Sequence, residues 1–325
     1  MPRVPLIVVP DDLPPEIALP PAIDRLKAMG EVKLYDARPA SEQEFIERIK
    51  DADVVVNVRG WSKFTRQVLE QCPRLRMISV VGTGVDNVDL KAAADLGITV
   101  TNTPGVTRNQ VAEHAIALML CAARQLCQKD KAMREGQWAR SRIQQIYGKT
   151  LGLVGTGVIG RRTGDLGRAI GMNVIAWTMH PTPEREKEYG FEFVARLDEL
   201  LQRADVVSLH LRDTPDAKHM IGERELGLMK PTAILVNTAR GPIIDEQALY
   251  KALAENKIAG AGLDVFEVEP LPAGSPLTKL DNVIMTPHNA TTTLEAVLDC
   301  NAMTVDNVEN LLKGQPTNVV VRGSR

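Results

Sequence analysis

Short apolar runs rich in β-branched residues recur through the first 100 residues and alternate with more polar stretches. Two of these stretches, Ser41–Lys50 and Asp89–Leu96, have the length and composition of helices. Strands that alternate with helices form parallel βαβ units with right-handed crossovers. The apolar runs predict the following strands: Leu6–Val9, Val32–Tyr35, Asp53–Asn57, Met77–Val81 and Ile98–Asn102.

A long, mostly apolar segment, Asn109–Gln128, follows these runs. Its apolar residues fall on nearly every face of a helix, which is typical of a buried helix. The next apolar run begins only at Thr150, so we expect this helix to join two halves of the molecule.

A second series of apolar runs begins at Thr150, separated by glycines, prolines and charged stretches of helical length. The alternation predicts a second doubly wound domain, so the fold class is α/β with two parallel sheets. The expected strands are Leu151–Val154, Asn173–Ala176, Asp205–Leu209, Ala233–Val236, Gly262–Val265 and Val283–Thr286, with a weaker candidate at Phe191–Val194.

A glycine-rich turn with the spacing Gly-x-Gly-x-x-Gly, residues 155–160, follows the first strand of this series. The spacing is specific only where a strand precedes it and a helix follows, as it does here. Gly155 permits the tight turn, Gly157 lets the backbone approach a pyrophosphate, and Gly160 lets the helix pack against the strand. The helix N-terminus offers free N–H groups to the phosphates. We predict a dinucleotide site; a plain strand-to-helix turn is the alternative.

The residue at the end of the next strand usually distinguishes NAD from NADP, but here it does not. An acid about 20 residues after the glycines usually binds the ribose 2′-hydroxyl, but this strand ends at Thr178. Threonine neither selects the free hydroxyl nor repels a 2′-phosphate. Arg185 or Arg212 can pair with a 2′-phosphate, or can be solvated surface residues. The predicted cofactor is therefore NAD or NADP.

Arg240, Glu269 and His288 follow the last three predicted strands in turn. Ligands of open α/β sheets bind beyond the carboxyl ends of the strands, so these residues should face the same crevice as the glycine turn. The guanidinium can hold a carboxylate and a carbonyl oxygen, the imidazole can exchange a proton with that oxygen, and the carboxylate can orient the imidazole. This predicts hydride transfer between a nicotinamide and a small 2-keto or 2-hydroxy acid. Each residue alone also fits a structural role, as a cap, a loop charge or a buried histidine.

Composition and charge narrow the partners and the compartment. Lys and Arg total 39 against 41 Asp and Glu, a formal net charge of -2, and aromatic residues are only 4%, so nucleic acid is not the expected partner. The apolar runs are too short for a signal-peptide core or a membrane span. The cysteines lack metal-ligand spacing. We expect a cytoplasmic protein without a metal, whose cysteines are buried thiols: Cys72, Cys121, Cys127 and Cys300.

Taken together, these motifs resemble the D-isomer-specific 2-hydroxyacid dehydrogenase family, and the similarity covers nearly all of the chain. The resemblance implies a Rossmann dinucleotide-binding domain, residues 101–289, inserted into a flavodoxin-like substrate domain of residues 1–100 and 290–325. It also implies a homodimer built by the helix near 109–127 and the segment through Trp138. The segments that carry the resemblance are residues 81–87, 111–114, 155–160, 236–242, 262–270 and 286–288.

The resemblance also implies which residues act. Arg240, Glu269 and His288 match the catalytic residues of the family. Together with the glycine turn, the cofactor-binding set is Gly155, Gly157, Val158, Ile159, Gly160, Thr178, His210, Leu211, Arg212, Thr238, Ala239, Arg240, Asp264 and His288. The substrate-binding set is Arg59, Gly60, Thr83, Gly84, Arg240 and His288.

Three positions depart from the family pattern. Thr178 stands where many NAD-dependent members have Asp, and Arg212 follows His210 and Leu211 where Pro is common. Asn289 replaces the usual residue after the histidine, which bears on substrate selection.

Two other functions remain open at this point. Formate dehydrogenases are similar in fold but pair the active-site histidine with Gln, and Glu269 argues against that reaction. A dinucleotide-sensing scaffold, like the transcriptional corepressors that share this fold, can keep all three polar residues.

Overall fold

The computed structural model describes residues 3–58 and 60–324. Contacts within the chain divide it into two compact units. The first domain comprises the chain up to Thr107 together with the segment from Thr292 onward, and the second domain is Arg108–Thr291. The boundaries expected from the sequence lie at residues 100 and 290.

The first domain begins as a series of alternating strands and helices. Two of its helices begin at capping side chains: the Ser41 hydroxyl accepts from the backbone N–H of Glu44, and the Asp89 carboxylate accepts from that of Ala92. The strands are β1 (Leu6–Val9), β2 (Glu31–Leu34), β3 (Val54–Asn57), β4 (Met77–Val80) and β5 (Thr99–Thr101). The helices are α1 (Ala22–Met29), α2 (Glu42–Ile49), α3 (Arg66–Glu70) and α4 (Leu90–Asp95).

The second domain contains a longer series of the same kind. Its strands are β6 (Thr150–Val154), β7 (Asn173–Trp177), β8 (Glu192–Phe193), β9 (Val206–Leu209), β10 (Ile234–Asn237), β11 (Gly260–Leu263) and β12 (Val283–Met285). Its helices are α5 (Arg108–Arg124), α6 (Leu126–Arg134), α7 (Val158–Ala169), α8 (Pro183–Tyr189), α9 (Leu197–Arg203), α10 (Glu223–Leu228) and α11 (Glu246–Ala254).

The chain then returns to the first domain as α12 (Leu294–Leu312) and β13 (Val319–Val321). The first sheet has the order β13-β5-β4-β3-β1-β2, and β1 to β5 are parallel in the flavodoxin-like arrangement. β13 pairs antiparallel with β5, so the sheet departs from the all-parallel expectation at this edge. The run that forms β13 is only three residues long, and its pattern alone gave no strand direction.

The second sheet is parallel throughout, with the order β12-β11-β10-β9-β6-β7-β8. This is the Rossmann order extended by one strand, so the fold prediction is confirmed. Neighbouring residues of β10 pack on opposite faces: Leu235 joins one apolar cluster, and Ile234 and Val236 join the other. Burial of such a side chain contributes about 1.5–3 kcal/mol, which fixes the strands and therefore the loops at their ends.

The segment between the two series is not the single buried helix that its composition predicts. α5 ends at Arg124, and Gln125 adopts the left-handed region with φ 51° before α6 begins. Met119 on one face of α5 is buried whereas Ala117 is exposed, so the prediction of a single buried helix was wrong. The close approach of α5 to β11 depends on Gly262, where a Cβ would lie 2.8 Å from that of Leu118.

The structure bears on two sequence-based expectations, one about membrane-spanning helices and one about burial of the cysteines. Within the described part of the chain, no helix combines the length and apolarity that crossing a bilayer requires. Cys72 and Cys300 are buried as predicted, but Cys127 is exposed, so the expectation of uniformly buried thiols was wrong.

Candidate active site

The glycine turn between β6 and α7 has a different requirement at each glycine. Gly155 has φ 99°, and a Cβ there would lie 2.6 Å from the His210 carbonyl oxygen. A Cβ on Gly160 would lie 2.2 Å from the Gly155 oxygen, so neither position accepts a side chain. A Cβ on Gly157 would meet no atom within 4 Å. Gly157 therefore faces open space, and its backbone can approach a ligand there.

Buried polar atoms that lack a partner among the described residues lie in this turn and just after the ends of β9 and β10. Thr156 Oγ1, His210 Nδ1 and Thr238 Oγ1 are buried and have no hydrogen-bond partner among the described residues. Such atoms cost free energy unless a ligand or water satisfies them. Gly157, the N-cap of the twelve-residue helix α7, brings no side-chain hydrogen bond to the first N–H groups. The open cradle and the free donors fit the pyrophosphate of a dinucleotide.

The predicted adenosine side of the site lies at the ends of β7 and β9. Burial lowers the pKa of His210 to about 4, so its imidazole is neutral near pH 7. Its Nε2 lies 2.9 Å from the Ser208 hydroxyl. Thr178 and Leu211 are half-buried, whereas Arg212 is exposed.

Arg240 lies three residues beyond the end of β10, in a turn that Asn237 holds together. The Asn237 side chain donates to the Arg240 carbonyl at 2.9 Å and accepts from the Ala239 N–H at 3.0 Å. The Arg240 guanidinium donates to the Ala239 carbonyl at 2.7 Å. The following residue must be glycine, because a Cβ on Gly241 would lie 1.9 Å from the Phe266 backbone.

Glu269 lies in the loop after β11 and contacts the imidazole of His288. Glu269 Oε2 is 2.7 Å from His288 Nδ1, and Oε1 accepts from the Phe266 N–H at 3.0 Å. Burial opposes ionisation of this carboxyl, but the contact with His288 and the charge of Arg240 outweigh it, so the pKa of Glu269 is below its usual value. The carboxylate therefore stays ionised and accepts from the Nδ1–H of the ring.

The loop after β12 carries His288 and is held by Asp264. His288 has φ 51°, a conformation that few non-glycine residues adopt, and its backbone N–H donates to the Asp264 carbonyl at 2.8 Å. The Asp264 carboxylate is buried and accepts from Thr286 Oγ1 at 2.6 Å and from the N–H groups of Asn289 and Ala290 at 3.0 Å. Burial raises the pKa of Asp264, but these hydrogen bonds and one from His114 outweigh it and keep the pKa low. The loop therefore has a fixed backbone, while the His288 side chain is 45% exposed.

The structure thus gathers Glu269 and His288 into direct contact, with the charge of Arg240 close enough to affect Glu269. Sequence reasoning missed the residues that hold these loops. His114 on α5 lies 2.9 Å from Thr286 Oγ1, a contact that neither the predicted buried helix nor the family segment 111–114 indicates. The role of Asn237 could have been predicted from its place directly before the Thr-Ala-Arg-Gly turn, because Asn side chains often form hydrogen bonds with the backbone of their own turn.

The first domain carries the other residues predicted to bind substrate. Thr83 follows β4 and is exposed; its carbonyl accepts from the Asn102 side chain at 2.8 Å. Gly84 is half-buried and Gly60 is exposed. Arg59 lies outside the described residues.

Comparison with known proteins defines the class of protein. A Rossmann sheet with this turn and these strand-end residues is that of a dinucleotide-dependent oxidoreductase. The sequence profile of the D-isomer specific 2-hydroxyacid dehydrogenase, NAD binding domain, matches residues 116–290. The chain belongs to the D-isomer-specific 2-hydroxyacid dehydrogenase family.

Relatives of known name support this membership. The chain is 41% identical over 306 residues to a glyoxylate reductase of Korarchaeum cryptofilum, covering 92% of each protein. It is 43% identical over 302 residues to a D-3-phosphoglycerate dehydrogenase of Methanocaldococcus jannaschii, covering 92% of this chain but 57% of that relative. Its structure is similar to that of a D-lactate dehydrogenase of Aquifex aeolicus, which was solved with NAD and lactic acid. The TM-score is 0.86 and the sequence identity is 32%, and the match covers 98% of this chain and 100% of the other.

Proposed function

We propose that the protein reduces a small 2-keto acid such as glyoxylate to the corresponding 2-hydroxy acid, with NADH or NADPH as hydride donor. The observation that carries this proposal is the 2.7 Å contact between Glu269 and His288, at strand ends of the domain that bears the glycine turn. We propose glyoxylate as the example substrate because relatives such as that of Korarchaeum cryptofilum are named glyoxylate reductases.

Three residues of the chain would bind the keto acid and supply the proton. A bound reduced nicotinamide supplies the hydride. Arg240 binds the carboxylate and the carbonyl oxygen of the acid, which fixes the carbon that accepts the hydride. His288 holds a proton at Nε2, the ring nitrogen that Glu269 does not contact, and donates it to the carbonyl oxygen. Glu269 holds Nδ1 protonated and stabilises the cationic ring.

The dinucleotide would lie along the glycine turn, with its pyrophosphate against the backbone at Gly157. Thr178 and Arg212 would face the adenosine ribose, and Thr238 and Asp264 the nicotinamide side. Thr178 selects neither form of the ribose, so the proposed cofactor is NADH or NADPH. In the first domain, Gly60, Thr83 and Gly84 remain the proposed contacts for the substrate carboxylate, and the role of Asn289 in substrate choice remains a proposal as well.

A substrate panel tests the activity. Oxidation of NADH and of NADPH would be followed at 340 nm (the reduced-nicotinamide absorbance) with glyoxylate, hydroxypyruvate, pyruvate and bulkier 2-keto acids. We expect turnover of about 1–10³ s⁻¹ with the best small acid. Reduction of NAD by formate alone would instead identify a formate dehydrogenase. Tight cofactor binding without turnover of any acid would favour the scaffold.

We also propose that the protein acts in the cytoplasm, where its free cysteine thiols would stay reduced. We propose further that it is a homodimer formed through the second domain. Of the eight large apolar side chains that are exposed in the described part of the second domain, five lie in one segment, the 126–147 surface: Leu126, Met133, Trp138, Ile143 and Tyr147. A cleft of about 440 Å³ beside it is lined by α5, α6 and the residues before β12. An apolar surface of this kind is typical of a protein–protein contact, and a second copy supplies a self-complementary one.

Replacing Trp138 with Asp tests the dimer. Trp138 is 79% exposed, and a charge at a contact that excludes water would weaken association. We expect light scattering after size exclusion to give a dimer for the wild type and a mostly monomeric variant. Leu298→Asp, at a 39% exposed position on α12, serves as the matched control and should remain dimeric. A monomeric wild type, or a variant as dimeric as the wild type, would refute the proposed contact.

A further inference from the structure

The second domain holds another histidine–carboxylate pair that the proposed reaction does not use. His219 Nε2 lies 2.8 Å from Glu267 Oε1, with the two side chains 40% and 34% exposed. A partly exposed pair of this kind adds little to global stability. Glu267, however, stands two residues before Glu269 in the same loop.

The backbone around His219 is fixed beside the turn that follows Arg240. The His219 N–H donates to the Pro242 carbonyl at 2.8 Å, and the Ile221 N–H donates to the Ile243 carbonyl at 3.1 Å. His219 itself adopts φ 51°, in the left-handed region. The main chain, independent of the imidazole, therefore keeps this residue in place.

The loop of Glu269 is held from two sides. Its Glu267 N–H donates to Glu246 Oε2 at 3.1 Å, and the Phe266 backbone packs directly against Gly241. On its other side, the Glu267 carboxylate meets His219. The imidazole thus links this loop to a segment that is anchored elsewhere in the domain.

We propose that His219 is a positioning residue whose contact with Glu267 sets the position of Glu269 against the ring of His288. The inference rests on the proposed reductase function. Loss of the His219 side chain would loosen the loop of Glu269 but not the turn of Arg240, whose backbone contacts remain. The orientation of His288 would therefore suffer, while the binding of the substrate carboxylate would not.

Kinetics of His219→Ala and His219→Gln separate these effects. We expect the Ala variant to lose about tenfold in kcat, since a misplacement near 1 Å costs up to about 10²-fold, with KM for the keto acid within about twofold of wild type. In the Gln variant, Nε2 can donate to Glu267 as the ring does, so kcat should recover. Glu267→Ala should repeat the loss, and the double variant should be no worse than either single one.

The matched control is Lys251→Ala, which removes an exposed ion pair with Glu223 in the same domain and should leave kcat unchanged. If His219→Ala fails to fold, Glu267→Gln and Glu267→Ala make the same comparison from the other partner. A wild-type kcat in the Ala variants, an equal loss in the Ala and Gln variants, or a rise in KM alone would overturn the inference.

A spectroscopic measurement keeps this inference separate from the proposed function. The proton shared by His288 Nδ1 and Glu269 should give a downfield proton NMR resonance in the wild type. We expect that resonance to broaden or shift in His219→Ala and to return in His219→Gln. Lack of keto-acid turnover by the wild type would contradict the proposed function and leave this result standing. An unchanged resonance in His219→Ala would contradict the positioning role alone.

Discussion

Replacing His288 with Asn lowers kcat for keto-acid reduction by about 10²–10⁴-fold, the range that loss of a general acid produces. Asn keeps a polar side chain of similar reach but carries no proton that it can release. Cofactor binding should be nearly unchanged, because the glycine turn at 155–160 and the buried His210 do not depend on this ring. The measurement is steady-state turnover with saturating acid, together with fluorescence titration of NADH.

A second variant checks that proton transfer, and not the shape of the loop, causes this loss. Glu269→Gln keeps the imidazole of His288 but removes the charge that stabilises the protonated ring, and its amide can accept only one of the two hydrogen bonds that the carboxylate accepts. It should therefore lower kcat less than His288→Asn does. Turnover in His288→Asn within a few-fold of wild type, with cofactor still bound, would show that another group supplies the proton.

Replacing Arg240 with Lys lowers kcat/KM for the keto acid by about 10²–10⁴-fold. Lys keeps the charge but cannot hold the carboxylate and the carbonyl oxygen of the acid together with the two directed hydrogen bonds of a guanidinium. Hydrogen bonds to charged groups contribute about 1.5–3 kcal/mol each, and the loss of two corresponds to that range. KM should rise as well as kcat fall, since Arg240 binds the acid before and during hydride transfer.

Arg224→Lys is the matched control, because Arg224 is 63% exposed and pairs with Asp198 on the surface of the same domain. It should have wild-type kinetics. If Arg240→Lys kept its KM and its kcat, the substrate would be held by other residues, and the role proposed for this turn would be wrong.

The strands of the fold were predicted correctly where short runs of apolar residues are buried in the sheet. Strands such as Leu6–Val9 are buried at every residue, as strands covered by helices on both faces must be. The pattern failed for Asn109–Gln128, because Ala and Cys fit exposed and buried positions alike and the left-handed Gln125 has no clear signature. β13 also has a weak signal, since its direction depends on pairing with a strand far away in sequence.

In the candidate site, too, some residues were predictable from the sequence and others were not. Gly155 and Gly160 were predictable because each of these glycines meets a local steric demand, whereas Gly157 faces open space. The Glu269–His288 contact was predictable from the rule that strand ends meet at one edge of a sheet. The Asp264 network was not, because its hydrogen bonds to Asn289 and Ala290 join loops whose backbone paths the sequence does not define.

The insertion of one domain into the other has a consequence for synthesis on the ribosome. Residues 108–291 emerge as one continuous stretch and can form their sheet as soon as β12 has left the exit tunnel. The earlier domain cannot close then, because Ser79 on β4 donates to Thr304 on α12, and β5 acquires its antiparallel neighbour only from Val319–Val321. The second domain is therefore completed before the first, and the edge of β5 stays open to chaperones or misdirected strands until β13 has emerged.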